Sequence, residues 1–264
     1  MAETEAYVAQ VLLSSSVICL FSWLVLGMDF SEENPRVNPY ANMSPWWPIF
    51  FCSLYVVVVK RGPVYFANRP AWRCDGWMLV FNVFQAFLNL YNVYGILYAM
   101  WRLNFTLVGN VEEKLDRDLG FFFFLHYVNK FFEFSDSLFM VLRKKNDQLS
   151  FLHVLHHGMM PWPWFFVLKY HPWGDAYFGA LLNSTIHVFM YTYYAFALLK
   201  IPCPWKVYLT QMQLTQFFCI FVHGNVGMYM GFRPRWLAMF QSAIVVVFFG
   251  LFSVFYSTKY TKRE

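Results

Sequence analysis

Leu119-Gly-Phe-Phe-Phe-Phe-Leu-His126-Tyr-Val-Asn-Lys130-Phe-Phe-Glu133-Phe-Ser-Asp136-Ser-Leu-Phe-Met-Val-Leu142 is long enough to cross a bilayer, yet it carries a histidine, a lysine and two acids. A spanning helix needs about 20 largely apolar residues. A charge at that depth costs at least a few kcal/mol, so such residues are rare and mark a site or a buried pair. Residues three or four apart share a helix face, which places Lys130, Glu133 and Asp136 on one stripe. The rest of the chain decides whether the surroundings are a membrane and what the stripe faces.

The surroundings are a membrane. Of 264 residues, 59% are hydrophobic and 13% charged, and 32 Phe, 17 Tyr and 11 Trp make it 23% aromatic. A soluble domain is about one-quarter charged, so these charges are too few to coat a water-facing surface. The five cysteines (19, 52, 74, 203, 219) are scattered and lack metal-type pair spacing, which excludes a disulfide scaffold. The net charge of +5 does not point to nucleic acid, because the basic residues fall between apolar blocks rather than on one patch.

Apolar runs give seven expected spans, at roughly 45–60, 76–101, 119–142, 151–168, 178–199, 207–230 and 236–257, the first of them short. The fold class is all-α, a polytopic membrane protein. A further stretch, Ala6 to Met28, is preceded by Glu3 and Glu5 with no Lys or Arg, so it is not a signal peptide; whether it spans or lies on the surface stays open. Residues 1–44 form an N-terminal segment, 45–257 one membrane domain and 258–264 a basic tail. There is no internal repeat.

Lys and Arg in short loops set orientation. Lys60, Arg61, Arg69, Arg73, Arg143, Lys144, Lys145, Lys200, Lys206, Lys259, Lys262 and Arg263 fall in alternate loops and make those cytosolic, with the C-terminus. The opposite loops hold only Arg36, Arg102, Lys114, Arg117, Lys169, Arg233 and Arg235. The triplets Asn42-Met43-Ser44 and Asn104-Phe105-Thr106 fall on that second side. Lys130 alone among the basic residues lies within a span.

Other spans carry polar faces too. His153, His156 and His157 project from one side of the fourth; Asn183, His187 and Tyr191 step by four along the fifth; Gln213 and Gln216 are three apart on the sixth. Such faces do not point at lipid, so they are expected to converge on one interior cavity. Three imidazoles within five residues read as chemistry rather than helix glue. For Lys130, Glu133 and Asp136, an orienting and a structural role both fit, with Lys130 to Glu133 the obvious salt bridge. His223 and the Gln pair read better as structural, and His171, in a Pro-rich loop, stands apart from the site.

Two chemistries use clustered imidazoles. His-x-x-His-His also serves di-iron membrane oxidases, but those need about eight His over several boxes. Seven in total, with one multi-His cluster, under-supply such a site. A single zinc on His153, His157 and His187 is the reduced form of that alternative. The preferred reading is acid–base and nucleophilic work on an acyl group. A transporter would also place polar faces on several helices, yet the paired helix breaks and the repeat it calls for are missing.

Lys130-Phe-Phe-Glu133-Phe-Ser-Asp136, His153-Val-Leu-His156-His157, His187-Val-Phe-Met190-Tyr191-Thr-Tyr-Tyr and Gln213-Leu-Thr-Gln216, in this order and spacing, resemble the elongases of very-long-chain fatty acids (ELO/ELOVL). The likeness runs over roughly 35–257, from Asn34-Pro35-Arg36-Val37. Asn146-Asp-Gln148-Leu-Ser150 and Met160-Pro161-Trp162-Pro-Trp164 look like the branch handling polyunsaturated and very long chains. Leu155, where an aromatic is usual, and Gly158 depart from the pattern.

The resemblance implies a 3-oxoacyl-CoA synthase of the endoplasmic reticulum membrane, an acyltransferase of lipid biosynthesis that condenses a long acyl-CoA with malonyl-CoA. It implies seven transmembrane helices, six of them an inverted barrel around a narrow acyl tunnel. His156 would attack the thioester; His153, His157 and His187 would position or protonate. Lys130, Glu133, Asp136, Asn183, Tyr191, Gln213 and Gln216 would orient these groups or stabilise oxyanions. Arg143, Lys144 and Lys145 would meet the CoA phosphates, with Lys60, Arg61, Lys206 and Lys259 in support. No metal or cofactor is expected beyond the two CoA substrates. Expected partners are membrane lipid, the other enzymes of the elongation cycle and a second copy of the chain. Lys262 lacks the second Lys of a dilysine retrieval signal, so location rests on the resemblance.

Overall fold

The computed structural model describes residues 38–110, 116–231 and 234–260. The stretch Ala6 to Met28, Asn34 to Val37 and the tail from 261 lie outside the described residues. Within them, nine α-helices follow one another without a strand: α1 Trp46–Phe66, α2 Asp75–Arg102, α3 Arg117–Phe132, α4 Phe134–Leu142, α5 Phe151–Met159, α6 Pro161–Tyr170, α7 Tyr177–Leu198, α8 Leu209–Tyr229 and α9 Arg235–Tyr260.

Two of the expected spans are broken helices. The stretch 119–142 divides at Glu133, where the Asp136 N–H bonds to the Glu133 carbonyl, a tightened i+3 turn inside an otherwise α-helical run. Such local tightening is typical of strained or functional positions. The stretch 151–168 divides at Met160, because Pro161 has no N–H and its ring clashes with the preceding turn; it starts α6 instead. The first helix is longer than expected and runs to Phe66 through Pro63. Side-chain caps start α3 and α5: Asp116 accepts from Leu119 N–H, and Ser150 from His153 N–H.

By length and composition, α1, α2 and the run Arg235–Thr258 of α9 are apolar enough to cross a membrane. The helices α7 and α8 have the length, and each buries polar residues, Ser184 and His187 on α7 and Gln216 and His223 on α8.

Contacts run from α2 to α3, α3 to α6, α6 to α9, α9 to α8, α8 to α7 and α7 back to α2, a closed circuit; α1 packs outside it against α4, α5 and α6. Between helices in lipid, close packing replaces the hydrophobic drive. At Gly95 on α2 the Phe122 ring of α3 stands where a side chain would begin, 1.9 Å from the Cβ position, so only glycine admits that approach. Trp162, Phe165, Phe166, Phe123 and Tyr177 fill the interior.

At one end of the bundle the loops are tied to one another. The Asp175 carboxylate accepts from Gly109 N, Asn110 N and Asn110 Nδ2 at 2.8, 3.0 and 2.7 Å. Tyr177 Oη and His223 Nε2 both donate to the Leu107 carbonyl at 2.8 Å. Lys169, expected only as a loop charge, is buried and donates to the Ala41 carbonyl at 2.7 Å. His171 is buried against Trp173, ring centroids 4.8 Å apart, and burial lowers its pKa to about 3. Asn42 and Asn104 are exposed at this end. At the other end the 67–74 loop is bound to the 143–145 turn: Trp72 N donates to the Leu142 carbonyl, and Lys144 Nζ to the carbonyls of Ala67 and Arg69.

Candidate active site

The stripe on α3 and α4 faces the stripe on α7, rung by rung. Lys130 Nζ donates to Asn183 Oδ1 at 2.7 Å. Glu133 Oε1 lies 3.0 Å from His187 Nδ1. Tyr191 Oη donates to Asp136 Oδ2 at 2.8 Å. Steps of three on one side meet steps of four on the other, and the tightened turn lies in the second of those steps, from Glu133 to Asp136. The expected pair is present as well: Lys130 Nζ donates to Glu133 Oε1 at 2.7 Å, with both side chains only 2% exposed.

Glu133 is the hub. Its Oε1 also receives Asn129 Nδ2 at 3.4 Å, and Asn129 in turn reaches Asn89 Oδ1. One carboxylate oxygen thus meets an ammonium, an amide and an imidazole. A buried carboxylate without such partners would cost several kcal/mol.

Asn183 settles the protonation pattern of His187. Its Oδ1 is taken by Lys130, so its Nδ2 donates to His187 Nε2 at 3.4 Å. The imidazole proton then sits on Nδ1, facing Glu133, although the 3.0 Å approach departs from hydrogen-bond alignment.

The three imidazoles of α5 come together but do not point alike. His153 and His157 lie 4.3 Å apart between ring centroids. His156 is 5.5 Å from His157 and turns toward α9, edge-on to Phe248 at 5.1 Å and Phe252 at 6.1 Å. Glu133 lies within electrostatic range of His156, His157 and His187. The wall beside His156 is apolar: Phe217 of α8 packs on Phe252. The half-buried His156 imidazole thus stands against phenyl rings.

Gln216 is buried, and Gln213 Nε2 lies 4.0 Å from the Met190 sulfur. His126 is held apart from the cluster: its Nδ1 meets Ser184 Oγ at 3.0 Å, and its ring packs on Trp164. His223 stacks on Phe178, with centroids 4.0 Å apart, as a structural group. Arg143 approaches Asp75 at 3.6 Å, while Lys144 and Lys145 are exposed at the α4–α5 turn. Among the described residues, no group of three His, Cys, Asp or Glu is arranged to hold a metal ion.

Several residues of the site escape a reading by sequence. Ser137 Oγ bonds His153 Nε2 at 2.8 Å and Tyr55 Oη at 3.1 Å. Cys52 Sγ, on α1, donates to the Gly158 carbonyl of the His-x-x-His-His helix at 3.5 Å. On α2, Asn82, Gln85, Asn89 and Asn92 form a buried stripe facing α3 and α7. Its 3-4-3 spacing is the signal that could have found it. Nothing in the sequence pairs Tyr55 with residues some eighty and a hundred positions away.

The ELO family model, described as the GNS1/SUR4 family, matches residues 40–264. The chain is 36% identical to very long chain fatty acid elongase 5 of Xenopus tropicalis over 244 residues, covering 88% of this chain and 81% of that protein. It is 35% identical to the proteins of that name from Mus musculus and Homo sapiens, with 88% of this chain and 80% of each relative covered.

Proposed function

The chain belongs to the ELO (GNS1/SUR4) family, and on that premise we propose that this fatty acid elongase is the condensing enzyme of its cycle, a 3-oxoacyl-CoA synthase. The observation that carries the reading is the convergence of the α3–α4 and α7 stripes, with the α5 imidazoles joined to α4 through Ser137 and His153, so that three polar faces from distant segments meet in one buried place. Lipid-facing helices would not spend polar residues there.

His156 attacks the thioester carbonyl of a long acyl-CoA. The C–S bond breaks, an acyl-imidazole forms and CoA leaves with a proton. Malonyl-CoA then loses carbon dioxide, and the resulting enolate attacks the acyl carbon. The C–N bond to His156 breaks, the freed imidazole nitrogen takes up a proton from solvent or a neighbouring imidazole, and the product is a 3-ketoacyl-CoA. His153, His157 and His187 position or protonate; Asn183, Gln213 and Gln216 hydrogen-bond developing oxyanions. Lys130, Glu133, Asp136 and Tyr191 hold these groups in place. Support for the roles is geometric: the Phe248 and Phe252 edges beside His156 suit the chain, and the Glu133 hub suits orientation.

The closed circuit of helix contacts supports six spans around an acyl tunnel with a seventh, α1, outside, and the tied loops at 103–110 and 171–176 suit its blind end. We place the opposite end, with Arg143, Lys144, Lys145 and the C-terminus, in the cytosol, where CoA phosphates are met, and the protein in the endoplasmic reticulum membrane. Its substrates supply all the chemistry, so no cofactor enters the scheme; a second copy and the other enzymes of the cycle are its expected partners.

Incubation of the purified protein with labelled malonyl-CoA and a panel of acyl-CoAs tests the reaction. Incubation with labelled acyl-CoA alone tests the route: label on the α5 peptide, absent in His156→Ala, supports the acyl-imidazole, and a wild-type enzyme that turns over yet never carries label leaves the cluster as base only.

A further inference from the structure

We propose that Tyr55 and Ser137 are positioning residues that hold the His153 imidazole in one orientation and one tautomer against His157. Ser137 is completely buried on α4, with its Oγ 2.8 Å from His153 Nε2 and 3.1 Å from Tyr55 Oη. A serine hydroxyl has one proton to give and lone pairs to receive. A phenol is the more acidic of the two hydroxyls, so Tyr55 donates to Ser137 and Ser137 donates to Nε2. An Nε2 that accepts leaves the ring proton on Nδ1. The ring so fixed lies 4.3 Å, centroid to centroid, from His157.

The position of α1 makes the chain of contacts stiff. Three points bind this outer helix to the site: Cys52 to the Gly158 carbonyl, Tyr55 to Ser137, and Gly62, where a Cβ would stand 2.6 Å from the Val141 Cγ1. The first reaches the His-x-x-His-His helix directly, and the second reaches it through Ser137. The Tyr55 ring is itself stacked on Phe134, with centroids 4.4 Å apart, so its hydroxyl has little freedom to leave Ser137. An α1 that served only as a lipid-facing spacer would need no buried hydroxyl bonded to the serine that contacts an imidazole.

The inference rests on the condensing reaction proposed above. The test is steady-state condensation by the full chain in detergent for wild type, Ser137→Ala, Ser137→Thr and Tyr55→Phe, together with thermal unfolding of each. In metal sites, loss of a hydrogen bond that orients an imidazole costs about 10- to 100-fold, and a loss on that scale is expected here. Ser137→Ala is expected to lose kcat in that range with KM for both CoA substrates nearly unchanged. Ser137→Thr, which keeps the hydroxyl, restores most of it, and Tyr55→Phe falls between. A kcat for Ser137→Ala close to wild type, a threonine variant no better than alanine, or a loss that only tracks a lower unfolding temperature would overturn the positioning role. A wild-type protein that makes no 3-ketoacyl-CoA would instead overturn the condensing reaction itself.

Discussion

His187 on α7 and Glu133 at the break between α3 and α4 meet at 3.0 Å, and the same carboxylate oxygen accepts Lys130 Nζ at 2.7 Å. One acid therefore meets two groups: it neutralises a buried ammonium and lies against an imidazole. Removing one partner of a buried pair costs about 3–5 kcal/mol because the other charge is left uncompensated, whereas replacing both by apolar groups is often neutral.

Glu133→Gln should therefore lower stability in detergent by about 3–5 kcal/mol and impair condensation. The double change Lys130→Met with Glu133→Leu should recover most of the stability without recovering activity. Unfolding curves and turnover measured on the same samples separate the two effects. If the double variant were active, Glu133 would be structural only.

Gly95→Ala should destabilise by about 1–3 kcal/mol, the usual cost of overpacking, since Phe122 occupies the space of its Cβ. Phe122→Leu in the same chain should restore part of the loss. Thermal unfolding of the single and double variants measures the coupling, and additive losses would count against the contact.

His171 gives a pH dependence with a defined sign. Burial holds it at about 3 in the folded protein, against about 6.5 when unfolded. Above about 6.5 neither state is protonated and the residue contributes no slope. As pH falls from there toward 3 the unfolded chain takes up a proton that the folded chain refuses, so stability declines by up to about 1.4 kcal/mol per pH unit. His171→Gln should flatten unfolding stability between pH 6.5 and 5; an unchanged slope would place the acid sensitivity elsewhere.

Charge reversal at Lys145 together with Arg143→Ala should raise KM for both CoA substrates with little change in kcat, because these side chains lie at the α4–α5 turn rather than beside the imidazoles. The effect should shrink as salt rises, since exposed charges are screened beyond about 10 Å at 0.1 M. A KM insensitive to both changes would move the CoA site to another loop.

Much of this site could be read from local spacing. Lys130, Glu133 and Asp136 on one stripe, His187 and Tyr191 on another, and the imidazoles of α5 each follow from helical periodicity within a single segment. Periodicity also set the membrane class, since apolar runs and loop charges are properties of the chain itself. What it could not supply was the break at Glu133, where no Pro or Gly warns of a change in pitch, and so the register that sets Lys130 against Asn183 and Asp136 against Tyr191.

The outward turn of His156 toward Phe248, the Tyr55–Ser137–His153 chain and the Cys52 contact with Gly158 were likewise decided only when the helices packed. The reason is physical. Which faces a helix must bury is written in its composition, but which partner each face meets depends on interhelical distance and rotation. Those are set by single contacts such as Gly95 against Phe122, between residues with no local relation in the sequence.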